Sequence, residues 1–332
     1  MFPEIPQLLL ILKEACEKFG FKWELVDIYS NNLVEVSNGE KSFFSSNSKV
    51  GTYPLNPKFS AQLVSDKAWC YEVLKQKGFK IPKGNYFFLK NEYRELRGEG
   101  RELKDAFLFA EKIGFPVFVK PNSSSLGILA EVIHDKNELK KHLEEISEIA
   151  WVALIQELIK QPEYRIFVLD GEIQFVYQRT SPKIIGDGKK SISEFISNIN
   201  KGIKRARNKI TENSFFLNNQ LEKYNLTLNS ILTKYQEFQI VSKANISAGG
   251  EIINYSEEVS NETKKWVKNL TETLQIRICG IDVFVEDSIN NPDSFTVIEV
   301  NHNPNLTGIY EYGKKEKVFS IWKEILNKYF NY

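Results

Sequence analysis

The segment EYRIFVLDGEIQFVYQR at 163–179 constrains the fold of this chain more than any other stretch. Runs rich in apolar residues flank Asp170-Gly171, and an Asp-Gly pair between two such runs is a strong signal for a tight hairpin turn. Near the end of the chain, IDVFVED and FTVIEVN predict a second hairpin. Hairpins mixed with helical segments favour an α+β fold over a doubly wound parallel sheet.

The patterns divide the chain into three predicted parts. These are a small α/β cap at 1–62, with strands near 23–28 and 33–36, a central or lid subdomain at 63–155, and a catalytic subdomain at 156–332 with a polar helical insertion at about 198–235. The central part begins with a helix predicted over 66–77. Ser65 is its expected N-cap, and Gly78 is expected to end it.

Charge and cysteine content exclude several classes of protein. The 44 basic and 43 acidic residues leave a formal net charge of +1, so we expect no general attraction to nucleic acid or to a membrane surface. The short apolar run near the start lacks a basic leader and is too short to span a bilayer. Cys16, Cys70 and Cys279 are isolated from one another, so neither a disulfide framework nor a zinc spacing is present. A reduced, cytoplasmic location is expected.

The last hairpin carries a candidate metal site. Side chains alternate between the two faces of a strand, so Glu299 and Asn301 share a face. If Glu286 pairs with Phe295, Asp282 lies opposite Glu299 in an antiparallel register. Carboxylates this close repel unless a divalent cation lies between them. Oxygen ligands without His or Cys suit Mg²⁺, which takes its remaining ligands from water and phosphates.

A second interpretation of the hairpin is that its polar residues face solvent. In the same register the apolar residues Phe284 and Val297 share the face of the carboxylates, which predicts that this face is partly buried. That prediction favours the metal site over the solvated face.

A second candidate site follows the strand FPVFVKP at 115–121. Lys120 ends this strand, and the small residues Ser-Ser-Ser-Leu-Gly at 123–127 come next. Small residues allow backbone N–H groups to approach phosphate oxygens closely, while the lysine supplies a positive charge. The alternative is a flexible serine loop beside a surface lysine. Lys67, taken alone, is typical of a solvated helix.

Taken in order, the motifs resemble those of the ATP-grasp superfamily, in particular the ATP-grasp domains of cyanophycin synthetase and of bifunctional glutathione synthetases. The resemblance covers roughly residues 60–312. The residues that carry it are S-D-K at 65–67, F-P-V-F-V-K-P at 115–121, Q-E-L-I-K-Q-P-E-Y-R at 156–165, I-I-G-D-G-K-K-S-I at 184–192, K-A-N-I-S-A-G-G at 243–250, G-I-D-V-F-V at 280–285 and V-I-E-V-N at 297–301.

The resemblance implies an ATP-grasp fold that holds the nucleotide between two α+β subdomains. The residues that it assigns to ATP are Lys67 and Lys120 at the phosphates, Ser123, Ser124, Ser125 and Gly127 in the lid loop, Gln156, Glu157 and Ile159 at the adenine, and Glu163 at the ribose. Gln156 stands where a Glu is common, although an amide oxygen can still accept from the adenine amino group.

The resemblance also implies the remaining site residues. It assigns Asp282, Glu299 and Asn301 to one or two Mg²⁺ ions, for which Mn²⁺ can substitute, and Arg179, Lys243 and Asn245 to the transferred phosphoryl group and the acyl phosphate. Lys243 stands where relatives often carry Arg, and a lysine lacks the two-pronged hydrogen bonding of a guanidinium.

The implied activity is an ATP-dependent carboxylate–amine ligation through an acyl phosphate, on amino acids or small peptides. Two alternatives stay open: a ligase that modifies side chains of an acidic precursor peptide, for which the basic residues at 201–209 suggest a binding surface, and a nucleotide-binding module without turnover. Relatives of this type commonly form homodimers. Neither a nucleic acid nor a membrane is an expected partner.

Overall fold

The computed structural model describes residues 4–48, 51–124, 127–203, 209–212, 214–241 and 250–331. Its strands are β1 (Lys22–Leu25), β2 (Leu33–Ser37), β3 (Ser42–Ser46), β4 (Gly84–Phe88), β5 (Val117–Pro121), β6 (Glu131–Ile133), β7 (Val152–Glu157), β8 (Glu163–Leu169), β9 (Glu172–Arg179), β10 (Lys183–Ile185), β11 (Glu237–Gln239), β12 (Ile252–Ser256), β13 (Ile278–Val285) and β14 (Phe295–Asn301). Its helices are α1 (Gln7–Phe19), α2 (Lys58–Ser65), α3 (Lys67–Gln76), α4 (Leu103–Ile113), α5 (Lys136–Ser147), α6 (Ile192–Gly202), α7 (Phe215–Lys223), α8 (Asn261–Leu274), α9 (Thr307–Glu311) and α10 (Lys315–Phe330). None of the helices in these ranges has the length and apolar character that a membrane crossing requires.

The N-terminal layer joins the first and last helices. Apolar residues of α1 recur at helical spacing, among them Leu8, Leu12 and Ala15, and are buried in one cluster with residues of α10 such as Trp322. The antiparallel strands β1, β2 and β3 complete this layer. β3 was not predicted, because its sequence SFFSS is rich in serine, which favours turns.

The central layer is an antiparallel sheet in the order β4-β7-β5-β6. Helices α4 and α5 pack against it. Their buried side chains and those of the sheet form one apolar cluster that includes Ala106, Ala110, Val117, Val119, Leu139, Leu143 and Ile155. The strand end that carries Lys120 is therefore held by a well-packed support.

The start of α3 differs from the prediction. Asp66, not Ser65, is the N-cap, and its Oδ1 accepts a hydrogen bond from the Trp69 backbone N–H at 2.9 Å. Ser65 is instead the last residue of α2. Both residue types are good N-caps, so the sequence alone could not separate them. Gly78, with φ +81°, follows the end of the helix as predicted.

The largest sheet has the strand order β12-β9-β8-β13-β14. The predicted hairpin of β8 and β9 is confirmed, and it turns at Asp170 and Gly171, whose φ angles are +51° and +80°. One face of the sheet packs on α8 through an apolar cluster that includes Ile166, Val176, Val267, Leu270, Ile281 and Val283. The other face is covered at one end by the N-terminal layer, through Phe167, Phe175 and Tyr177. The other end of this face carries polar side chains.

A register shift in the last hairpin corrects one prediction and confirms another. Phe295 pairs with Val285 and not with Glu286, but a bulge beyond Val297 restores the pairing of Asp282 with Glu299. The shift also moves Val297, which pairs with Val283 and lies in the apolar cluster. Val297 is therefore on the opposite face from the two carboxylates, and the prediction that it shares their face was wrong.

The segment between β9 and β12 forms a small unit with its own apolar core. β10 and β11 pair, and α6 and α7 pack beside them. The core includes Ile184, Ile192, Ile196, Leu217, Leu221, Leu232, Phe238 and Ile240. Mixed helix and antiparallel sheet throughout the described residues confirm the predicted α+β class, while the three-part division of the chain stays an interpretation.

Candidate active site

The polar end of the large sheet gathers charged side chains from neighbouring strands. Asp282 on β13 pairs with Arg165 on β8 and with Glu299 on β14. Glu163 on β8 pairs with Arg179 on β9. Directly paired residues project from the same face of a sheet, so the five side chains form one charged face. The predicted residues Glu163, Arg179, Asp282 and Glu299 are therefore close together.

Asp282 is the centre of this face. Its Oδ2 lies 2.7 Å from Nη2 of Arg165 and 2.7 Å from Nη2 of Arg179, and its Oδ1 accepts from Nε of Arg165. The Asp282 side chain is only 8% exposed. Burial by itself raises the pKa of Asp282, but the two guanidinium groups outweigh burial and hold that pKa below its ordinary value. Asp282 is therefore ionised at neutral pH.

Arg179 joins the two carboxylates. It forms an ion pair with Glu163 as well as with Asp282. Burial, which outweighs the attraction of Arg179, raises the pKa of Glu163. The Nε atom of Arg179 is buried and has no hydrogen-bond partner among the described residues. A buried donor without a partner is costly, so this atom is a suitable contact for an anionic ligand.

Arg165 belongs to the face but was not assigned a role from the sequence. The pairing of β8 with β13 brings Arg165 to this face, and a sequence does not reveal that pairing because the two strands are not consecutive in the chain. The signal in the sequence was limited to the Y-R pair of the motif at 156–165.

Glu299 and Asn301 lie at the edge strand of the sheet. Glu299 is 34% exposed, and its Oε1 lies 3.6 Å from Nζ of Lys67. The side-chain oxygen of Asn301 accepts a hydrogen bond from the Asn303 backbone N–H at 2.9 Å. The structure thus brings Glu299 next to Asp282 by strand pairing, and Lys67 reaches the same edge from α3.

Lys120 approaches this edge from the central layer. It is 5% exposed, and its Nζ lies 3.4 Å from the Ile298 carbonyl oxygen. Burial lowers the pKa of Lys120 to about 8, against the opposing attraction of Glu299. A buried amine with so few partners is well suited to hold an anion.

The serine loop is fixed to the start of α3. The buried side chain of Asn122 accepts a hydrogen bond from the Ala68 backbone N–H at 2.8 Å. Lys67 Nζ donates to the Ser124 carbonyl oxygen at 2.7 Å. Ser123 is exposed, and Gly127 adopts a φ of +70°. Lys67 therefore connects the loop to Glu299.

Three of the predicted site residues, Ser125, Lys243 and Asn245, lie outside the described residues. The predicted adenine contacts lie at and just after the end of β7. Gln156 is buried at 4% exposure and pairs with Phe118 and Gly84 in the sheet. Glu157 accepts a hydrogen bond from the Lys83 backbone N–H at 2.8 Å, and Ile159 is half-buried.

A small cavity connects these groups. Lys67, Lys120, Gln156 and Glu299 are among its lining residues, together with apolar residues such as Leu154. Its volume is about 20 Å³, which is room for about one water molecule. The cavity is therefore too small to hold a nucleotide in this conformation. A larger recess of about 350 Å³ is lined by residues of the insertion and shares none with this face.

The donor set at β13 and β14 fits a hard cation. Asp282, Glu299 and Asn301 offer only oxygen ligands. Among the described residues, no cluster of three or more His, Cys, Asp or Glu side chains that could hold a metal occurs. A site of two carboxylates and one amide is incomplete without ligands from water or phosphate, which is the coordination that Mg²⁺ prefers. For Asp282 to join such a site, at least one guanidinium group must move off its carboxylate.

The comparisons with known proteins agree on an ATP-grasp fold. Residues 64–221 match the family model of the RimK-like ATP-grasp domain. Two curated relatives are named glutathione biosynthesis bifunctional protein GshAB. The one from Streptococcus mutans is 24% identical over 259 residues, which is 73% of this chain and 32% of the relative. The one from Enterococcus faecalis is 26% identical over 311 residues, which is 89% of this chain and 38% of the relative.

A solved structure agrees with the fold. The bifunctional glutathione synthetase from Pasteurella multocida superposes with a TM-score of 0.54 at 22% identity, over 91% of this chain and 41% of that one. The chain therefore spans about two-fifths of this protein and a third to two-fifths of the two curated relatives. The similarity establishes the ATP-grasp fold.

Proposed function

We propose that the protein is an ATP-dependent carboxylate–amine ligase that forms an amide bond through an acyl phosphate. The charged face carries this proposal. It brings Arg165 and Arg179 together with Asp282 and Glu299, and two lysines reach its edge. A reaction that transfers a phosphoryl group needs such cations, because negative charge spreads over the phosphate oxygens in the transition state.

The chemistry follows from the low reactivity of a carboxylate. One carboxylate oxygen attacks the γ-phosphorus of ATP, and the bond to ADP breaks. The product is an acyl phosphate, a mixed anhydride that an amine can attack at the carbonyl carbon. Phosphate then leaves with the electron pair, and the amine loses a proton to solvent or to the substrate. Catalysis consists mainly of positioning and charge stabilisation.

The predicted site residues that the structure describes have proposed parts in this reaction. Lys67 and Lys120 hold the phosphates, and the unpartnered Nε of Arg179 donates to the transferred phosphoryl group or to the acyl phosphate. The residues proposed for the nucleoside are Gln156, Glu157, Ile159 and Glu163. The loop at 122–127 closes over the phosphates and excludes water, which would otherwise hydrolyse the acyl phosphate.

Asp282, Glu299 and Asn301 are the proposed ligands of one or two Mg²⁺ ions, with Mn²⁺ as a substitute. Their oxygen-only chemistry supports this assignment. When bound, the cation neutralises charge on the phosphates. Glu299 also contacts Lys67 at 3.6 Å, and Lys120 contacts the neighbouring Ile298 carbonyl oxygen, so the two lysines lie at the same edge of β14.

The substrates that we propose are amino acids or small peptides, on the basis of the domain type alone. A homodimer and a cytoplasmic location are further proposals. The cytoplasmic location is supported by the cysteines, since Cys16, Cys70 and Cys279 are all free and buried.

A phosphate-release screen of paired carboxylates and amines tests the proposed function. The expected result is release of ADP and phosphate only when both substrates are present, with the amide detected by mass spectrometry. ATP binding without ADP release across the panel would favour a binding module instead. A preference for acidic peptides over free amino acids would favour the peptide-modifying alternative.

The affinity for ATP is expected to fall as pH rises through about 8, because Lys120 loses its proton there. The loss of one charged hydrogen bond corresponds to about tenfold in affinity. Lys120→Arg keeps its charge at any accessible pH, so this variant is expected to show no such fall. Titration calorimetry at about pH 7 and about pH 9.5 measures the ATP affinity of wild type and of Lys120→Arg. An equal fall in wild type and in Lys120→Arg would contradict the assignment of Lys120 to the phosphates.

A further inference from the structure

We propose that Gly280 is a positioning residue, which leaves the space through which the Arg165 side chain reaches Asp282. Gly280 lies on β13, two residues before Asp282, so the two share the charged face. Arg165 is paired with Asp282 on the neighbouring strand, and its side chain passes over Gly280. Where this proposal concerns activity, it rests on the proposed ligase function.

The geometry at Gly280 shows that space, not backbone conformation, requires a glycine there. Gly280 is not among the residues with positive φ, so its backbone conformation is open to any residue. A Cβ atom at this position would lie 2.9 Å from both Cδ and Nη1 of Arg165, and 3.1 Å from Cβ of Pro304. Distances below 3.0 Å between such atoms force one of them to move.

The group that must move is the end of a side chain. At Gly84 and Gly186 an added Cβ would instead meet backbone oxygens, at 2.7 Å from Ile155 and 2.2 Å from Thr233. Substitution at those two positions must therefore displace a neighbouring strand or loop. At Gly280 the two shortest contacts are with the Arg165 side chain, which can move while the sheet stays in place, and the Pro304 ring must give by only a few tenths of an ångström. Gly280→Ala is therefore a specific way to displace Arg165.

Displacement of Arg165 changes the surroundings of the proposed metal ligand. Asp282 keeps its contact with Arg179 but loses the two hydrogen bonds from Arg165. The carboxylate is then free to turn. A misplaced group at a site of this kind costs about 100-fold in rate, so we expect about that loss in kcat for Gly280→Ala. The KM for ATP is expected to stay within about twofold, because Lys67, Lys120 and Gln156, proposed for the phosphates and the adenine, lie on other elements.

A spectroscopic measurement tests the displacement without any assay of activity. The Nε–H group of an arginine held by a buried carboxylate exchanges slowly and gives a resolved ¹H–¹⁵N signal near neutral pH. The Arg165 signal is assigned by its loss in Arg165→Ala. It is expected to broaden or disappear in Gly280→Ala, whereas the signal of Arg277, whose Nε donates to Asp170 at 2.6 Å, stays. An unchanged Arg165 signal would overturn the proposal, whether or not the ligase activity is found.

A double-mutant cycle tests the route by which Gly280 acts. In the Arg165→Ala background, Gly280→Ala is expected to have no further effect on kcat, because the group it displaces is already gone. Gly98→Ala is the matched control, since a Cβ at Gly98 would meet no atom within 4 Å. Losses that multiply in the double variant would overturn the proposal. Should Gly280→Ala fail to fold, recovery of folding in the double variant supports it, and failure of both contradicts it.

Discussion

Glu299→Gln is expected to lower the rate of amide formation by about 1,000-fold, because it removes a proposed metal ligand and with it several kcal/mol of charge stabilisation. The fold should be spared. Glu299 is 34% exposed and makes one ion pair, at 3.6 Å, with Lys67. Lys67 is 11% exposed but keeps its hydrogen bond to the Ser124 carbonyl oxygen in the variant, so we expect a loss of stability of about 1 kcal/mol. The rate is measured as ADP release with a substrate pair from the phosphate-release screen.

The chain offers a matched control for this variant. Glu286, at the end of the same hairpin, lies 3.6 Å from Lys80 and is 62% exposed. Glu286→Gln therefore removes a charge and an ion pair of equal length outside the charged face, and it is expected to leave the rate unchanged. Near-normal turnover in Glu299→Gln, or an equal loss in both variants, would remove the metal assignment.

Asp282→Asn is expected to abolish turnover and also to destabilise the protein by about 3–5 kcal/mol, since it leaves two buried guanidinium groups without their full counter-charge. Arg165 and Arg179 are 12% and 13% exposed. The free energy of unfolding is measured by urea denaturation. Asp170→Asn serves as control. Asp170 also binds Arg277 and Lys328, but it is 21% exposed with partners 36% and 30% exposed, so a loss of about 1 kcal/mol is expected.

The loss of unfolding free energy caused by Asp282→Asn should depend on pH. Because the pKa of Asp282 is lower in the folded protein than in the unfolded chain, its stabilising contribution is present above the unfolded pKa of about 4 and is lost as pH falls through the folded value. The difference in unfolding free energy between wild type and Asp282→Asn should therefore narrow as pH falls below about 4. A difference that is constant with pH would show that folding does not shift the pKa of Asp282.

The sequence predicted the parts of the fold and site that depend on local patterns. Alternation along β14 placed Glu299 and Asn301 on one face, and the Asp-Gly turn placed β8 beside β9. The bulge in β14 was not predictable, because V-I-E-V-N contains neither glycine nor another sign of an irregular strand. The prediction that Asp282 meets Glu299 succeeded because the one-residue error at the strand end was cancelled by the bulge.

The ion pairs of the charged face required the arrangement of distant strands. Arg165 and Asp282 are 117 positions apart in the chain, and only the order of β8 and β13 in the sheet brings them together. The same is true of Lys67, which contacts both the serine loop and Glu299. Local patterns indicate which charged residues can belong to a site. Tertiary packing determines which of the many carboxylates each arginine or lysine pairs with.

The acyl phosphate is tested most directly by the fate of a labelled oxygen. The carboxylate substrate from the screen is prepared with ¹⁸O in both oxygens, and the released phosphate is examined by mass spectrometry. Because a carboxylate oxygen bonds to phosphorus and leaves with it, each released phosphate is expected to carry one ¹⁸O atom. Formation of the amide with unlabelled phosphate would contradict the account.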